Sequence, residues 1–242
     1  MAVWAISDLH LSFANPQRRD QYAARWQDHA ESIRNQWIAA IAPRDLVLIP
    51  GDISMALNHR DLQPDLDWLG RLPGIKIFSP GNHDRWWGKL NNLQRILRRS
   101  QRAVDGNVIV ESGAVVCGAR SVDVIDLDHA SVPQRQQHER IMSTVEAMLD
   151  EATARREPGM PLYVLWHHPP FDQHGRPGPW VSRFEHAEVT ACVYGHLHAE
   201  LQWSFAVQGI VRGVRYHCVS ADAVGFRPLR IDRPSLAPGT SD

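Results

Sequence analysis

The sequence has little cysteine and no closely spaced cysteine pair. Three cysteines occur among 242 residues, Cys117, Cys192 and Cys218, each inside an apolar, strand-like run. A disulfide framework or a zinc ribbon needs an even number of cysteines or close pairs of them. We therefore expect three buried free thiols, and cysteine chemistry is excluded from the function.

Long apolar runs and an excess of charge of one sign are also missing. No stretch approaches the roughly 20 apolar residues that a transmembrane helix needs. The first residues, "MAVWAISDLHLS", form a strand-like run and show neither the basic segment nor the cleavage site of a secretory signal peptide. A formal net charge of −1 and a pI near 6.9 give no overall attraction to polyanions. We expect a cytoplasmic protein with no membrane partner, and nucleic acid is disfavoured as a partner.

Length and patterning predict one α/β domain. With 43% apolar and 22% charged residues in 242, the chain has the composition of a globular protein with one large core. Five short apolar runs predict buried strands, at 3–6, 46–49, 75–78, 162–166 and 191–194. Helical spacing occurs within 18–45, 64–70, 89–99 and 133–156, and a hairpin is predicted to turn at 111–113. Helices and strands alternate in the first half of the chain, and strands predominate in the second half. This order favours a layered α/β sandwich with mixed sheets.

A polar cluster follows each predicted buried strand. The clusters are "SDLH" with Asp8 and His10, "PGDI" with Asp52, "PGNHD" with Asn82, His83 and Asp84, "WHHPP" with His167 and His168, and "YGHLH" with His196 and His198. In open α/β sheets, ligands gather beyond the carboxyl ends of the strands, so neighbouring strands would bring these side chains to one rim. Carboxylate, amide and imidazole donors suit Mn²⁺, Fe or Zn²⁺.

The number of donors predicts more than one ion. Seven candidate ligands exceed the four that a tetrahedral ion takes, so a two-metal site is the simpler interpretation. Gly51, Gly81 and Gly195 each precede a candidate, where the backbone must turn sharply or pass close to a ligand. A single Asp-x-His or Gly-Asp after a strand is usually only a turn. Five such motifs, each after a strand, favour the metal interpretation.

In this order the motifs resemble the calcineurin-like metallophosphoesterase superfamily, whose pattern is D-x-H, G-D, G-N-H-D/E, H and G-H-x-H. The resemblance runs from Asp8 to His198, and "AISDLHLS", "LVLIPGDIS" and "GNHDRWW" are similar to a group of bacterial predicted phosphohydrolases. It implies the metallo-dependent phosphatase fold, a four-layer αββα sandwich of two mixed β-sheets flanked by helices. The metallophosphoesterase domain would span 1–232, and the Pro/Ser/Gly-rich segment 233–242 would be a flexible tail.

The resemblance also implies a role for each motif residue. Two divalent ions (Mn²⁺, Fe²⁺/Fe³⁺ or Zn²⁺) would be held, one by Asp8, His10, Asp52 and His198, the other by Asp52, Asn82, His167 and His196. The fourth motif often reads H-x-P, which favours His167 over His168 as the ligand. His83, paired with Asp84, would protonate the leaving oxygen. His168 and His174 are candidate substrate contacts.

The implied activity is hydrolysis of a small phosphate mono- or diester by in-line attack of a metal-bridging hydroxide. Two alternatives stay open. Gly-Asn-His-Asp with His-His-Pro-Pro is similar to the cyclic-nucleotide phosphodiesterase branch, and the same fold also serves as a metal-free scaffold. Trp86 and Trp87 would either pack against the loop that carries His83 or form a wall on which a base or ring of the substrate stacks. The loop with Asp172, His174 and Arg176 would either contact substrate or be an inert surface.

Overall fold

Two β-sheets lie face to face at the centre of the computed structural model, which describes residues 1–18 and 26–232. In spatial order the first sheet contains β11 (Leu229–Arg230), β1 (Val3–Ala5), β2 (Leu46–Pro50), β3 (Ile75–Ser79) and β4 (Gln101–Ala103). Strands β1 to β4 are parallel, and β11 pairs antiparallel with β1. Three of the predicted buried strands therefore lie side by side in one sheet.

The second sheet holds the other two predicted buried strands. In spatial order it contains β5 (Asn107–Glu111), β6 (Ala114–Gly118), β7 (Leu162–Leu165), β8 (Ala191–Tyr194), β10 (Val214–Cys218) and β9 (Gly209–Val211). The four inner strands are parallel, and β5 and β9 pair antiparallel at the edges. The β5–β6 hairpin turns at Ser112 and Gly113, both with positive φ, as a two-residue hairpin turn requires.

Helices cover the outer face of each sheet. They are α1 (His29–Ala40), α2 (His59–Arg71), α3 (Leu90–Gln94), α4 (Val132–Ala154), α5 (Val181–His186) and α6 (Glu200–Ser204), with a 3₁₀ turn at Pro16–Arg18. Two starts are capped: the Asn58 side chain accepts from the Asp61 amide before α2, and Ser131 and Gln134 form a capping box at α4.

Alternating side chains on the strands build three apolar cores. On β2, Val47 and Ile49 join the core that contains α1 and α2, whereas Leu46 and Leu48 join the core between the two sheets. On β7, Leu162 and Val164 join a third core with α4 and α5. Three cores separate four layers, so the predicted αββα sandwich is confirmed.

The boundaries of two predicted helices were wrong. The helix predicted at 64–70 begins five residues earlier, at His59, because Asn58 caps it there. The helix predicted over 89–99 ends at Gln94, since the chain must turn to enter β4 at Gln101. The Arg98 amide donates to the Gln101 side chain at this turn.

Other predictions concern the helix within 18–45, the cysteines and the tail. The helix is observed as α1, but Tyr22, counted in its pattern, lies outside the described residues. All three cysteines are buried and free, as expected.

The segment 233–242 lies outside the described residues, so the domain boundary at 232 stays a prediction. Within residues 1–18 and 26–232, no helix has the length and apolarity to span a bilayer.

The two sheets meet at the rim where the polar clusters lie. Ser7, just after β1, forms a parallel bridge with Ser220, just after β10. The Ser7 amide donates to Val219 O at 2.8 Å, and the Ala221 amide donates to Ser7 O at 3.0 Å. Because the bridge joins segments that leave different sheets, the carboxyl ends of both sheets open at a common edge.

Candidate metal centre

Asp52 lies between two imidazoles at this rim. Its Oδ2 is 3.8 Å from His10 Nε2 and 3.4 Å from His167 Nε2. Its Oδ1 accepts a hydrogen bond from the His83 amide at 2.8 Å. A carboxylate between two groups of nitrogen donors has the position that a bridging ligand of two ions requires.

The first group of donors contains Asp8, His10 and His198, whose candidate ligand atoms all lie within 4.8 Å of one another. His198 Nε2 is 3.3 Å from Asp8 Oδ1, and it is 3.2 Å from His10 Nε2. Two imidazole nitrogens and a carboxylate oxygen thus converge on one point, as the ligands of a single cation do.

The second group converges on Asn82. Its Oδ1 lies 2.8 Å from His167 Nε2 and 3.0 Å from His196 Nδ1. His167 also forms a compact trio with Asp8 and Asp52, so the two groups of donors are contiguous. All seven residues predicted as metal ligands are therefore brought together at one rim.

The outward nitrogens of three of these histidines have partners of their own. His167 Nδ1 is 3.0 Å from Pro50 O, His10 Nδ1 is 3.3 Å from Met55 Sδ, and His198 Nδ1 is 3.1 Å from Asp222 Oδ1. Such partners fix the ring orientation and leave the other nitrogen for a metal. Sequence reasoning missed Asp222, because a contact between the loops after β8 and β10 leaves no spacing in the sequence.

The charges of the cluster favour a cation at its centre. Asp8, Asp52 and His167 are all 1% exposed or less. Burial would raise the pKa of Asp8, but the neighbouring histidines outweigh it and hold that pKa well below its usual range. For His167 burial acts in the other direction and lowers the pKa, but the neighbouring Asp52 outweighs it and raises the pKa to about 9. Buried carboxylates that attract positive charge so strongly fit divalent ions, and the donor types fit Mn²⁺, Fe or Zn²⁺.

The backbone is strained where it presents the ligands. Asp8, His10, Asp52 and His196 have φ values of 56°, 40°, 52° and 71°, in the left-handed region that non-glycine residues seldom adopt. Strain of this kind concentrates at functional sites, because the surrounding structure must hold it in place. At Gly81 the constraint is space: a Cβ there would lie 2.1 Å from Asp52 Oδ1.

His83 and Asp84 differ from the expectation for a catalytic pair. The His83 ring is partly exposed and stands edge-on to His10, with ring centroids 5.3 Å apart. The Asp84 carboxylate points into its own loop, where it accepts from the amides of Ile53, Ser54 and Gly81. The predicted pairing of Asp84 with His83 was wrong, since no hydrogen bond joins their side chains within the described part of the chain. Asp84 instead fixes the loop that carries Asn82 and His83.

The neighbouring tryptophans pack this loop. Trp86 and Trp87 are 3% and 8% exposed. Trp86 Nε1 donates to Asp84 Oδ1 at 3.1 Å, and Trp87 Nε1 donates to Asp105 Oδ2 at 3.1 Å. Both rings are therefore part of the support under the rim, and the alternative of a stacking wall is not what the structure shows.

His168 lies beside the metal cluster, in a different setting from His167. Its Nδ1 is 3.0 Å from Ser121 Oγ, and its ring centroid is 4.4 Å from that of His196. With His196 and Asp123 it forms a third group of donors, and Asp123 was also missed from the sequence. The geometry thus favours His167 as the ligand in the fourth motif, and the contact of His168 with substrate stays a prediction.

The loop after β7 contains the remaining candidates. Asp172 accepts from the amides of His174 and Arg176 and from Arg176 Nε, so its carboxylate closes a tight turn. His174 is exposed at the tip of that turn, with its ring 3.3 Å from the Gln173 amide nitrogen. The predicted contact of His174 with substrate stays a prediction.

Comparison with known proteins agrees with the fold described above. The model of the calcineurin-like phosphoesterase family matches residues 1–200. Among solved structures, phosphopantetheinyl hydrolase (PptH) from Mycobacterium tuberculosis superposes with a TM-score of 0.58 at 17% identity, covering 98% of each chain. A protein of unknown function from Aquifex aeolicus gives a TM-score of 0.48 at 14% identity, covering 95% of each chain. No match was found among curated proteins.

The chain belongs to the calcineurin-like phosphoesterase family, and its two mixed sheets flanked by helices form the metallo-dependent phosphatase fold. As a member of that family it is a metal-dependent phosphoric ester hydrolase.

Proposed function

We propose that the protein hydrolyses a small phosphate mono- or diester with a pair of divalent ions (Mn²⁺, Fe²⁺/Fe³⁺ or Zn²⁺). One ion would be held by Asp8, His10, Asp52 and His198, and the other by Asp52, Asn82, His167 and His196. The observation that carries the proposal is the position of Asp52 between His10 and His167. Bound there, the ions would supply an acidified water for in-line displacement and positive charge for the phosphoryl oxygens.

The protein's own contribution begins with rigid donors. The outer partners of His167 and His198 orient their rings, and the surrounding structure holds the strained backbone at Asp8 and Asp52. The donor atoms would therefore be in place before substrate arrives. Preorganised charge of this kind stabilises the transition state without reorganisation during the reaction. The amide oxygen of Asn82 adds a neutral donor between two imidazoles.

His83 is the residue best placed to move a proton. Its amide is tied to Asp52, its ring borders the first group of donors, and its side chain is only partly buried. A substrate phosphate bound over the cluster would therefore meet the imidazole at the rim. We assign to His83 the transfer of a proton to the departing oxygen, a step that typically accelerates such reactions about 10²–10⁴-fold.

Elemental analysis and a substrate panel test the proposal. Purified protein loaded with Mn²⁺ or Zn²⁺ is assayed on aryl phosphate monoesters, aryl phosphodiesters and cyclic nucleotides, which also separates the two enzymatic hypotheses. Asp52→Ala is expected to lose bound metal. His83→Ala is expected to keep the metal and to lose turnover by about 10²–10⁴-fold.

His129→Ala is the matched control, because His129 is an exposed histidine that pairs with Asp126 outside the cluster. It should change neither metal content nor turnover. Equal metal content in Asp52→Ala and the parent protein would remove the role assigned to Asp52. A metal-loaded protein inert toward the whole panel would favour the scaffold alternative.

A further inference from the structure

A groove of about 480 Å³ opens beside the metal cluster. His196 and Asp123 line it, so it is continuous with the rim at which the phosphate would be bound. Its other walls are mixed. The polar side chains of Asp172, Gln173, Arg176 and Gln202 lie among apolar ones, which include Val124, Phe171, Leu197, Leu201, Phe205 and Val207. A concave space of this size that combines apolar walls with a few polar groups is typical of a small-molecule pocket.

Helix α6 exposes apolar side chains into this groove. Leu201 is 71% exposed and Phe205, directly after the helix, is 59% exposed. Residues four apart on a helical turn lie on the same side, so the two side chains form one surface. Two large apolar side chains that are exposed to solvent next to the metal cluster indicate a surface that a ligand covers.

The wall that carries these residues is fixed to the metal ligands. The His198 amide donates to Gln202 Oε1 at 2.6 Å, and Trp203 Nε1 donates to Leu197 O at 3.0 Å. The Tyr194 hydroxyl, on β8, donates to Val207 O at 2.7 Å. A group seated against α6 would therefore be held at a defined distance from the cluster.

The charges in the groove disfavour a second anionic group. Arg176 is the cationic side chain of its lining, and Asp172 already pairs with the guanidinium at 2.6 Å. Asp123 adds a carboxylate that is 68% exposed. Among residues 1–18 and 26–232, an additional phosphate or carboxylate on the substrate would thus meet no unpaired positive charge in this space.

We infer that the groove binds the uncharged, apolar ester group of the substrate, an alkyl or aryl substituent on the phosphate. This inference rests on the proposed function, because the phosphate must be at the rim for the substituent to reach α6. It narrows the substrate class to phosphoesters with an apolar arm, and it assigns Leu201 and Phe205 as specificity-determining residues.

A series of 4-nitrophenyl phosphodiesters tests the inference with a constant leaving group. The methyl, butyl and octyl esters are assayed with the Mn²⁺-loaded protein. Complete burial of a methylene is worth a factor of about 4, so in an open groove kcat/KM should rise about twofold per methylene. Leu201→Ser and Phe205→Ser should each lower the octyl-to-methyl ratio of kcat/KM about tenfold. Ile38→Ser is the matched control, since Ile38 is 51% exposed on α1 and does not line the groove.

Binding measurements separate failure of the inference from failure of the proposed function. Methylphosphonate and octylphosphonate, which are not hydrolysed, are titrated calorimetrically into the metal-loaded protein. Octylphosphonate binding more tightly than methylphosphonate, with the preference lost in Phe205→Ser, supports the groove even if no ester is turned over. Turnover with the same kcat/KM for all three esters would overturn the inference alone. So would a dimer that becomes a monomer in Leu201→Ser, because the apolar surface would then be a subunit contact.

Discussion

Asp222 accepts a hydrogen bond from Nδ1 of His198 at 3.1 Å, although the two residues leave different strands. The other ring nitrogen of His198 faces Asp8 at 3.3 Å, so the imidazole is held between two carboxylates. Burial lowers the pKa of His198, but hydrogen bonds to Asp222 and Asp8 outweigh it and raise the pKa to about 10. Asp222 therefore orients a residue that we propose as a metal ligand, although it lies 24 residues away in the sequence and outside the His198 motif.

We predict that Asp222→Asn weakens metal binding about 10–100-fold, because the ring of His198 loses the anionic partner that orients it and strengthens it as a ligand. Isothermal titration with Mn²⁺ or Zn²⁺ measures the affinity. Asp126→Asn is the control, since Asp126 pairs with His129 at 2.8 Å on the surface and should leave the affinity unchanged. Equal affinities in both variants would show that Asp222 is dispensable to the site.

Gly81 allows the loop of Asn82 to pass against Asp52. A Cβ at this position would lie 2.1 Å from Asp52 Oδ1 and 2.3 Å from the Asp52 amide. We therefore expect Gly81→Ala to displace Asp52, to lower metal affinity at least tenfold, and to cost about 1–3 kcal/mol of unfolding free energy. Metal titration and urea denaturation measure the two effects.

Gly88→Ala is the matched control for this substitution, since in the described part of the chain no atom beyond its two chain neighbours lies within 4 Å of the Cβ that it adds. Its unfolding free energy should stay within about 0.5 kcal/mol of the parent value. Equal behaviour of the two alanine variants would mean that the close approach at Gly81 is not required.

Much of the site was predictable because each motif is local. Asp8 and Asp52 follow the neighbouring strands β1 and β2, and parallel strands bring their carboxyl ends to one edge whatever the intervening helices do. His196 follows β8 of the second sheet, which meets this edge at the Ser7–Ser220 bridge. The fold class followed from the same pattern. The helix boundaries at 59 and 94 could not be predicted from this pattern, because the cap at Asn58 and the turn into β4 determine where these helices begin and end.

The partners of the ligands could not be predicted in the same way. Asp123 and Asp222 reach the cluster from loops after β6 and β10, and a contact between distant loops leaves no spacing in the sequence. Asp84 stands next to His83 in the chain, which favoured a pairing between them. The tight turn instead directs the Asp84 carboxylate toward backbone amides. This orientation depends on the three-dimensional path of the loop, which the sequence pattern does not show.

The position of Asp84 predicts a structural effect for its removal. Its Oδ1 accepts from Ile53 N, Ser54 N and Trp86 Nε1, and its Oδ2 accepts from Gly81 N. In Asp84→Asn one oxygen becomes an amide donor, so at least one buried N–H group loses its acceptor. We expect a loss of about 1–3 kcal/mol in unfolding free energy, measured by urea denaturation. Loss of turnover at unchanged stability and metal content would instead restore a direct role beside His83.

Lys76 makes a pH-dependent contribution to stability at the other end of β3. Its ammonium is buried and donates to Leu72 O, Gly74 O and Ser100 Oγ. Burial lowers the pKa of Lys76 from 10.5 to about 8. Between these two values the unfolded chain binds more protons than the folded protein, so the contribution of this group to stability must rise with pH.

We predict that the unfolding free energy of the parent protein, relative to Lys76→Met, increases from about pH 8 to pH 10.5 by on the order of 3 kcal/mol. Urea denaturation across this range measures the difference. Because Lys76 and Lys89 are the only lysines in the chain, ¹³C-lysine labelling gives two signals, and Lys76→Met identifies the one that belongs to Lys76. A Lys76 signal that titrates near the ordinary lysine pKa of about 10.4, with no pH dependence in the stability difference, would show that burial does not perturb this amine.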